Sequence, residues 1–590
     1  MVGARCARAA NRAKSLAPAV RRATALPYSS ESPSINTAKG TPGFAALSRS
    51  KWADRLGGAL GRGLDLAVGQ QGRHSRVDGA PPKQWKIAMS SALNSSPTVA
   101  ETEFAGRRAL LVLVLGAMML AGAWLRFTAL DRIELFVDEG GHILAPVDPD
   151  VCRVINPIGE GKPAMIWFFR IASALPADPL VVARSVVAAC GLITAVAIAA
   201  TLFLLLDLTA ALVGFALWLF LPFAVFHERL ALFDPVIAML IACGLLALAL
   251  GSRPSSRRLD PIAWSALGGA LAGAACLLKI SASTAAPWLL VCYVALQRRW
   301  ARPLLSERLA AASVAYALPA ITLCALAPQL GERILAGSGP AAATAGGLRF
   351  LGWYAGYGGW PLALLALLAI AGLRAERARS MLCFGAAWLG SLVIAQAIYP
   401  APYARYVHAD HILLVIFLAG AIAGAPTRIS LSLATVALAG WFWVGVRIVR
   451  DPQRAPIPAD EIEQYLTGPW SGSGAAGAIA QIAKHRPSVV FVHRYSRPAS
   501  YAALLAARQD PELNVVPLSL ETSRGVDGAR AVAAKARALL GANVRFYVLA
   551  EGAPPPERAT LAGAGVSCRV IYDHLKPDGV SRVMVLECDL

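Results

Sequence analysis

The segment LVVARSVVAACGLITAVAIAATLFLLL, residues 180–206, decides the fold class of this chain. It is an almost unbroken apolar run, and a helix of about 20 apolar residues is long enough to cross the hydrocarbon core of a bilayer. Two more apolar runs follow it closely, at 209–226 and 230–250. Repeated runs of this length predict helices that span a membrane.

Similar blocks recur along the chain and predict a mainly helical, polytopic membrane bundle of about 11–13 transmembrane helices. The blocks are residues 109–125, 180–206, 209–226, 230–250, 262–278, 283–297, 309–328, 350–373, 380–398, 408–424 and 429–449. A shorter stretch, 163–176, is apolar and aromatic and is predicted to lie along the membrane interface.

Composition excludes a soluble protein and argues against a nucleic-acid partner. Of the 590 residues, 56% are hydrophobic and only 16% are charged, whereas a soluble domain carries roughly 25% charged residues. The formal net charge is +20, but most of it lies in residues 1–88 and in short loops between apolar blocks. That distribution is typical of a protein whose partners are membrane lipids.

The loop charges predict how the bundle is oriented. With the residues before 109 inside, the inside loops hold 11 Lys and Arg in 32 residues, and the outside loops hold 9 in 74. Basic residues concentrate on the cytoplasmic side of membrane proteins. Eleven crossings then place the C-terminus outside an inner or plasma membrane.

Two regions flank the predicted membrane domain of residues 106–450. Residues 1–105 are rich in Arg, Ala, Ser and Gly without apolar periodicity. This is typical of disorder, of an organelle transit peptide or of a start site assigned too early. Residues 451–590 contain short β-type runs separated by Ala-rich helical stretches, which predicts an extracytoplasmic α/β domain.

The ten cysteines contain no CxxC pair of the kind that binds metal. Cys568 and Cys588 both lie in the C-terminal domain, which the predicted topology places in an oxidising compartment. Two interpretations stay open for them: a disulfide, or two buried thiols.

The first outside loop contains the acidic sequence FVDEGGH, residues 136–142, in which Asp138 and Glu139 are adjacent. A carboxylate beside an apolar wall has a raised proton affinity and can act as a base. The neighbouring glycines would let a ligand approach closely. A solvated acidic loop is the alternative interpretation of these residues alone.

Cations occur at or near the outer ends of other apolar blocks: Lys162, Arg229, Lys279 and Arg405. Arginine can hold a lipid phosphate with two hydrogen bonds, although each cation alone would also suit an anchor in the headgroup region. Asp234, which precedes Pro235, is predicted to cap the next helix. An acidic pair facing several cations suits a reaction that deprotonates an acceptor and expels a phosphate.

The order of these residues resembles the membrane glycosyltransferases of the C superfamily, in the branch that contains the protein O-mannosyltransferases and the lipid A aminoarabinose transferase. The resemblance covers about 109–450. Five elements carry it: Val137-Asp138-Glu139, Gly161-Lys162-Pro163-Ala164, Arg229 through Asp234-Pro235, Leu278-Lys279 and Ala404-Arg405-Tyr406. The chain departs from the family pattern at Ala164, where a second proline is usual.

The resemblance implies transfer of a hexose or pentose from a polyprenyl phosphate to an extracytoplasmic lipid, glycan or protein, with inversion at the anomeric carbon. It implies Asp138 as the catalytic base and Glu139 as its support or as a cation ligand. The residues implied for the donor phosphate and sugar are Lys162, Arg229, Asp234, Lys279, Arg405, Tyr406 and His408. A divalent cation such as Mg²⁺ or Mn²⁺ would suit a carboxylate pair near phosphates.

The alternative classes are a polytopic transporter or flippase and a non-catalytic envelope assembly protein. Transporters often show internal repeats and charges near the bilayer midplane. This sequence shows no repeat, and its candidate charges gather at one surface. An assembly protein would not need Asp138 to face the cations, so the sequence favours a transferase.

Overall fold

The computed structural model describes residues 99–175, 177–253, 259–299, 305–326, 340–373, 378–398, 403–424, 427–485, 488–492, 497–517, 525–540, 545–552, 558–563 and 565–589. Most of the N-terminal region predicted as disordered, residues 1–98, lies outside the described residues. The first helix among the described residues begins at Val99.

From Val99 to Arg450 the described residues are predominantly helical. In chain order its helices are α1 (Val99–Phe127), α2 (Val137–Leu144), α3 (Pro149–Ile155), α4 (Met165–Phe168), α5 (Pro179–Leu205), α6 (Leu208–Phe220), α7 (Pro222–His227), α8 (Asp234–Gly251), α9 (Leu259–Leu278), α10 (Ala282–Arg299), α11 (Leu305–Leu326), α12 (Pro340–Gly372), α13 (Ala378–Ile398), α14 (His411–Ala423) and α15 (Arg428–Arg450). Each predicted apolar block overlaps one of these helices over most of its length, except one. The block 209–226 is divided between α6 and α7, because Pro222 starts a new helix at its first position.

Within the described ranges, six segments are long and apolar enough to cross a membrane: Arg107–Arg132, Pro179–Leu205, Asp234–Gly251, Asp260–Leu278, Gly352–Gly372 and Arg428–Arg450. Shorter apolar helices, among them α6 and α14, accompany them. The chain is therefore a multi-pass membrane protein, as predicted. The aromatic stretch 163–176 forms only α4 and a 3₁₀ turn at Phe169–Ser173, which are too short to span.

The C-terminal domain is built on one mixed sheet. After the short helices α16 (Ala459–Ile462) and α17 (Ala475–Ile482), its elements are β1 (Ser488–Val492), α18 (Pro498–Gln509), β2 (Leu513–Pro517), α19 (Gly525–Leu540), β3 (Phe546–Gly552), α20 (Arg558–Gly563), β4 (Ser567–Leu575) and β5 (Arg582–Asp589). The strand order is β2-β1-β3-β5-β4. The first three strands are parallel, and β5 and β4 are antiparallel to their neighbours.

Two helical layers cover this sheet and give it two apolar cores. Residues of α17 and α18 pack on one face, and residues of α19 and α20 pack on the other. The predicted α/β domain is therefore confirmed. Cys568 and Cys588 lie opposite each other on β4 and β5 and form a disulfide, which decides between the two interpretations of these cysteines.

The C-terminal domain packs directly on the loop that follows α1. Tyr501, Leu504 and Leu505 of α18 belong to the same apolar cluster as the helices of the membrane part. The carboxylate of Glu134 accepts hydrogen bonds from the backbone N–H groups of Gly474 and Ala475, at the start of α17. An acidic group at a helix N-terminus is favourable, and this contact holds the loop before α2 in place.

Candidate active site

A cavity of about 380 Å³ lies where the loop after α1, the segment 403–406 and the C-terminal domain meet. It brings together four of the residues that the sequence predicted for the site. These four are Asp138, Lys162, Arg405 and Tyr406.

Asp138 is the second residue of α2, and its partner is Arg405. The Nη2 group of Arg405 donates to Oδ2 of Asp138 at 2.8 Å, and Nη1 donates to the hydroxyl of Tyr465 at 2.9 Å. The guanidinium carbon lies 4.9 Å from the ring centroid of Tyr403 and 5.4 Å from that of Phe136. Aromatic faces attract a cation, so Arg405 is held rigidly while its carboxylate partner remains open to the cavity.

The cations determine the protonation of Asp138. Burial opposes ionisation of this carboxyl, but the positive charges of Arg405 and then Lys162 outweigh burial and hold the pKa of Asp138 well below its usual range. Asp138 is therefore a carboxylate at neutral pH. The raised proton affinity expected from the sequence is therefore wrong for this carboxyl, which can take a proton only from a hydroxyl that becomes acidic as it attacks.

His142 lines the same cavity, one helical turn after Asp138. Burial, and next the charge of Lys162, lower the pKa of His142 to about 3. Its Nδ1 lies 3.1 Å from the carbonyl oxygen of Ala231, which can only accept. The proton is therefore on Nδ1, and Nε2 is a hydrogen-bond acceptor. The spacing of four residues from Asp138 was the sequence signal that could have identified His142.

Glu139 does not share the cavity with Asp138. Its Oε1 accepts from Nε of Arg184 at 2.8 Å, and its Oε2 accepts from Nη2 at 2.7 Å. The backbone N–H groups of Phe136 and Ala231 complete its hydrogen bonds, at 2.9 and 2.6 Å. Both carboxylate oxygens are thus engaged, and Glu139 anchors the start of α2 instead of holding a cation.

Arg184 was not identified from the sequence, because it is one polar residue inside an apolar block. It is fully buried at the start of α5. Besides Glu139, it donates to three backbone carbonyls of the loop after α1, those of Leu130, Ile133 and Glu134. One side chain therefore fixes the segment that carries Asp138.

Lys279 and Asp234 form a buried pair beside the cavity. The Nζ group of Lys279 donates to Oδ1 of Asp234 at 2.7 Å and to Oδ2 at 3.0 Å. The same ammonium lies 4.2 Å from the ring centroid of Tyr406, which lines the cavity. The predicted capping role of Asp234 is wrong. Phe233 occupies the N-cap position of α8, and the carboxylate of Asp234 serves Lys279 instead.

Arg229 is the predicted phosphate ligand that the structure places elsewhere. It is fully buried, and its Nη1 donates to the carbonyls of Leu125 and Thr128 at 2.8 Å each. Its Nη2 donates to the carbonyl of Ala129 at 3.0 Å. The last carbonyls of a helix have no partner within the helix. Arg229 satisfies them at the end of α1 and does not line the cavity.

His408 also lies away from the cavity lining. It is buried, and its Nε2 is 3.5 Å from Oε1 of Glu228. Glu228 in turn forms a fully buried ion pair with Arg126. Charged groups inside a membrane bundle pair with one another. The predicted contact of His408 with sugar or phosphate is therefore replaced by a contact inside the bundle.

The acidic pair does not fit a shared divalent cation. Oδ2 of Asp138 accepts from Arg405, and both oxygens of Glu139 accept from Arg184, as described above. In the described parts of the chain, no group of three or more His, Cys, Asp and Glu side chains is arranged to hold a metal ion.

The C-terminal domain contributes three residues to the cavity that the sequence did not point to. They are Gln464, Trp470 and Tyr501. All three are neutral at physiological pH and carry a hydrogen-bonding group on an amide or an aromatic ring. They are distant from Asp138 in sequence, and nothing in the sequence around them indicates that they reach the cavity.

The chain is thus a multi-pass membrane protein with a C-terminal sheet domain, and the comparisons with known proteins show that its fold is that of the C superfamily of membrane glycosyltransferases. The family described as dolichyl-phosphate-mannose-protein mannosyltransferase matches residues 159–327. This match and the structural similarity described next confirm the resemblance predicted from the sequence.

Among solved structures, ArnT from Cupriavidus metallidurans, crystallised with undecaprenyl phosphate, is similar to this chain with a TM-score of 0.52 and 16% identity. The similarity covers 82% of this chain and 98% of ArnT. The oligosaccharyltransferase of Archaeoglobus fulgidus gives a TM-score of 0.37 with 12% identity, over 75% of this chain and 69% of that one. No curated protein sequence matches the chain.

Proposed function

We propose that this protein transfers a sugar from a polyprenyl-phosphate carrier to an extracytoplasmic acceptor, with inversion at the anomeric carbon. The observation that carries the proposal is the pairing of Asp138 with Arg405 at 2.8 Å in a cavity that Lys162 also lines. One carboxylate beside two cations provides a base and a phosphate site within the span of a single sugar-phosphate.

In this mechanism the cations act on the leaving group. Lys162 and Arg405 bind the donor phosphate and stabilise its charge as the bond from the anomeric carbon to the phosphate oxygen breaks. An acceptor hydroxyl attacks the opposite face of that carbon, and Asp138 takes its proton. The products are the glycosylated acceptor and the polyprenyl phosphate.

Donor binding would also tune the base. In the structure Arg405 lowers the proton affinity of Asp138, as described above. A bound phosphate competes for the same guanidinium, so it weakens the hold of Arg405 on the carboxylate. The proton affinity of Asp138 then rises when the donor is in place.

The donor class is supported by two comparisons. ArnT, whose fold this chain shares, was crystallised with undecaprenyl phosphate, and the family that matches 159–327 is described by a dolichyl-phosphate-linked sugar. The pair of Lys279 and Asp234 lies behind Tyr406, next to the proposed phosphate site. In this proposal the pair holds the ring of Tyr406 against the donor.

The side of the membrane is part of the proposal. We assign residues 106–450 to a transferase domain and residues 451–590 to an extracytoplasmic domain. The disulfide between Cys568 and Cys588 supports an oxidising compartment for the latter. The higher basic density of the inside loops supports the same orientation.

Replacing Lys162 with Gln is expected to lower kcat/KM for the donor by about 10- to 100-fold, because a charge-assisted hydrogen bond contributes about 1.5–3 kcal/mol. Initial rates at varied donor concentration measure this. The matched control is Lys484→Gln, since Lys484 is an exposed lysine that bonds Gln481 at the surface of the C-terminal domain. Equal kinetics for the two variants would remove Lys162 from the donor site.

The test of the function is transfer by membranes that contain the protein. Radiolabelled mannose, glucose and arabinose, each linked to undecaprenyl phosphate, are supplied with hexyl glycosides and a Ser/Thr-rich peptide as acceptors. We expect label in an acceptor with at least one donor. Labelled donor that crosses the bilayer without being cleaved would indicate a flippase instead.

A further inference from the structure

The wall of the cavity that the C-terminal domain forms is fixed relative to Asp138. The backbone N–H of Val137, the residue before Asp138, donates to the carbonyl of Trp470 at 3.2 Å. The next residue after Trp470 is also held: the buried ammonium of Lys576 donates to the carbonyl of Ser471 and to the carboxylate of Glu551. The cavity wall is thus joined to α2 by a hydrogen bond and, through Lys576, to Glu551 of β3 in the sheet.

Tyr501 explains the first of the two glycines that follow Glu139. A Cβ on Gly140 would lie 2.5 Å from Cβ of Tyr501 and 2.6 Å from its ring carbon Cδ2. A Cβ on Gly141 would lie 2.6 Å from Cδ1 of Ile155, and 3.9 Å from the hydroxyl of Tyr501, which is an ordinary contact distance. Gly140 therefore admits Tyr501, where the sequence had suggested a ligand, whereas Gly141 admits Ile155 and lines the cavity. The hydroxyl of Tyr501 reaches over Gly141 toward the cavity.

The hydroxyl of Tyr501 stays protonated beside the carboxylate. Burial, and next the negative charge of Asp138, raise the pKa of Tyr501 well above its usual range. The ring is only 2% exposed, yet it lines the cavity. Tyr501 can thus present a fixed hydroxyl to a molecule that occupies the cavity next to Asp138.

The basic residues of the cavity lining and its residues from the C-terminal domain belong to different parts of the chain. Lys162 and Arg405 come from the part that contains the membrane helices. Among the described residues, the C-terminal domain adds only neutral groups to the lining: Gln464, Trp470 and Tyr501. Trp470 is 45% exposed. The guanidinium carbon of Arg497 lies 5.0 Å from the centroid of its ring, but Arg497 is not part of the cavity lining. A flat aromatic face with neutral hydrogen-bonding groups suits an uncharged, hydroxyl-rich ring.

Inversion at the anomeric carbon determines which part of the cavity lining faces the donor phosphate and which part faces the acceptor. The acceptor and the leaving phosphate must lie on opposite faces of the anomeric carbon. The phosphate is drawn to the cations, and the polyprenyl tail must remain in the membrane. The acceptor then lies against the neutral wall.

We infer that Tyr501, with Trp470 and Gln464, binds the acceptor, and that this acceptor presents the hydroxyl of an uncharged carbohydrate. The inference rests on the proposed function. It makes the C-terminal domain a determinant of acceptor specificity, with Tyr501 as an acceptor-binding residue.

Tyr501→Phe removes one hydroxyl and leaves the ring that packs on Gly140. Its KM for a hexyl glycoside should rise by about two- to tenfold, the value of one neutral hydrogen bond, whereas its KM for the donor should stay at the wild-type value. The matched control is Tyr547→Phe, since Tyr547 is equally buried but lies in the apolar core of the sheet. The donors and acceptors are those of the transfer assay described above.

Each outcome separates the two proposals. A rise in glycoside KM for Tyr501→Phe alone supports the inference. Equal KM values for Tyr501→Phe and Tyr547→Phe, or transfer by the wild type to the peptide and to no glycoside, would overturn the inference and leave the transferase function standing. Wild-type protein that transfers no label to any acceptor would overturn both.

Discussion

Asp138→Asn is expected to reduce sugar transfer by roughly two to four orders of magnitude, the usual contribution of a positioned general base. Asparagine has nearly the same shape and can still accept a hydrogen bond from Arg405, but it cannot take the proton of an acceptor hydroxyl. The loss should fall on kcat and not on donor binding, because Lys162 and Arg405 are retained and Arg405 is no longer held by a charged carboxylate. Rates at saturating donor and acceptor measure this.

The matched control for that variant is Asp150→Asn. Asp150 lies in the same loop, on α3, and forms an exposed ion pair with Arg153. Its neutralisation should leave kcat at the wild-type value. If both variants transferred sugar at the same rate, Asp138 would not be the base.

Arg184→Met is expected to destabilise the fold by about 3–5 kcal/mol, the usual effect of leaving one member of a buried ion pair without its partner. Glu139 would remain buried with only two backbone N–H donors, and three loop carbonyls would lose their donor. The melting temperature of the purified protein in detergent should fall by several degrees. Transfer should fall as well, since the segment that carries Asp138 is no longer fixed.

Two further variants isolate the ion pair as the cause. Arg153→Met breaks a pair that is about half exposed, and exposed pairs contribute little, so its melting temperature should be close to that of the wild type. The double variant Arg184→Met/Glu139→Gln removes the unpaired charge and should recover part of the loss. A double variant no more stable than Arg184→Met would contradict this explanation.

The membrane helices were predictable because a helix in lipid must satisfy its own backbone and expose apolar side chains over a fixed length. Because that constraint acts on each segment separately, the sequence of one segment is enough to predict a membrane helix. The same holds for the acidic pair, since Asp138 and Glu139 are adjacent in the chain. The sequence could not predict that Asp138 lines the cavity while Glu139 is buried, because this depends on which face of α2 packs against Arg184.

The different roles of Arg229 and Arg405 could not be predicted from the sequence. Both are single arginines near the end of an apolar block, and both could bind a phosphate by chemistry alone. In the structure Arg229 donates to three carbonyls at the end of α1, whereas Arg405 donates to the carboxylate of Asp138. Only the packing of distant segments distinguishes them, and the contribution of Tyr501 from the C-terminal domain was hidden for the same reason.

The central claim is that this cavity binds a polyprenyl phosphate beside Asp138. A structure of the protein determined with undecaprenyl phosphate tests it most directly. We predict that the phosphate lies within hydrogen-bond distance of Lys162 and Arg405, with its tail directed to the membrane helices. A phosphate bound outside the cavity, without contact to either cation, would contradict the claim.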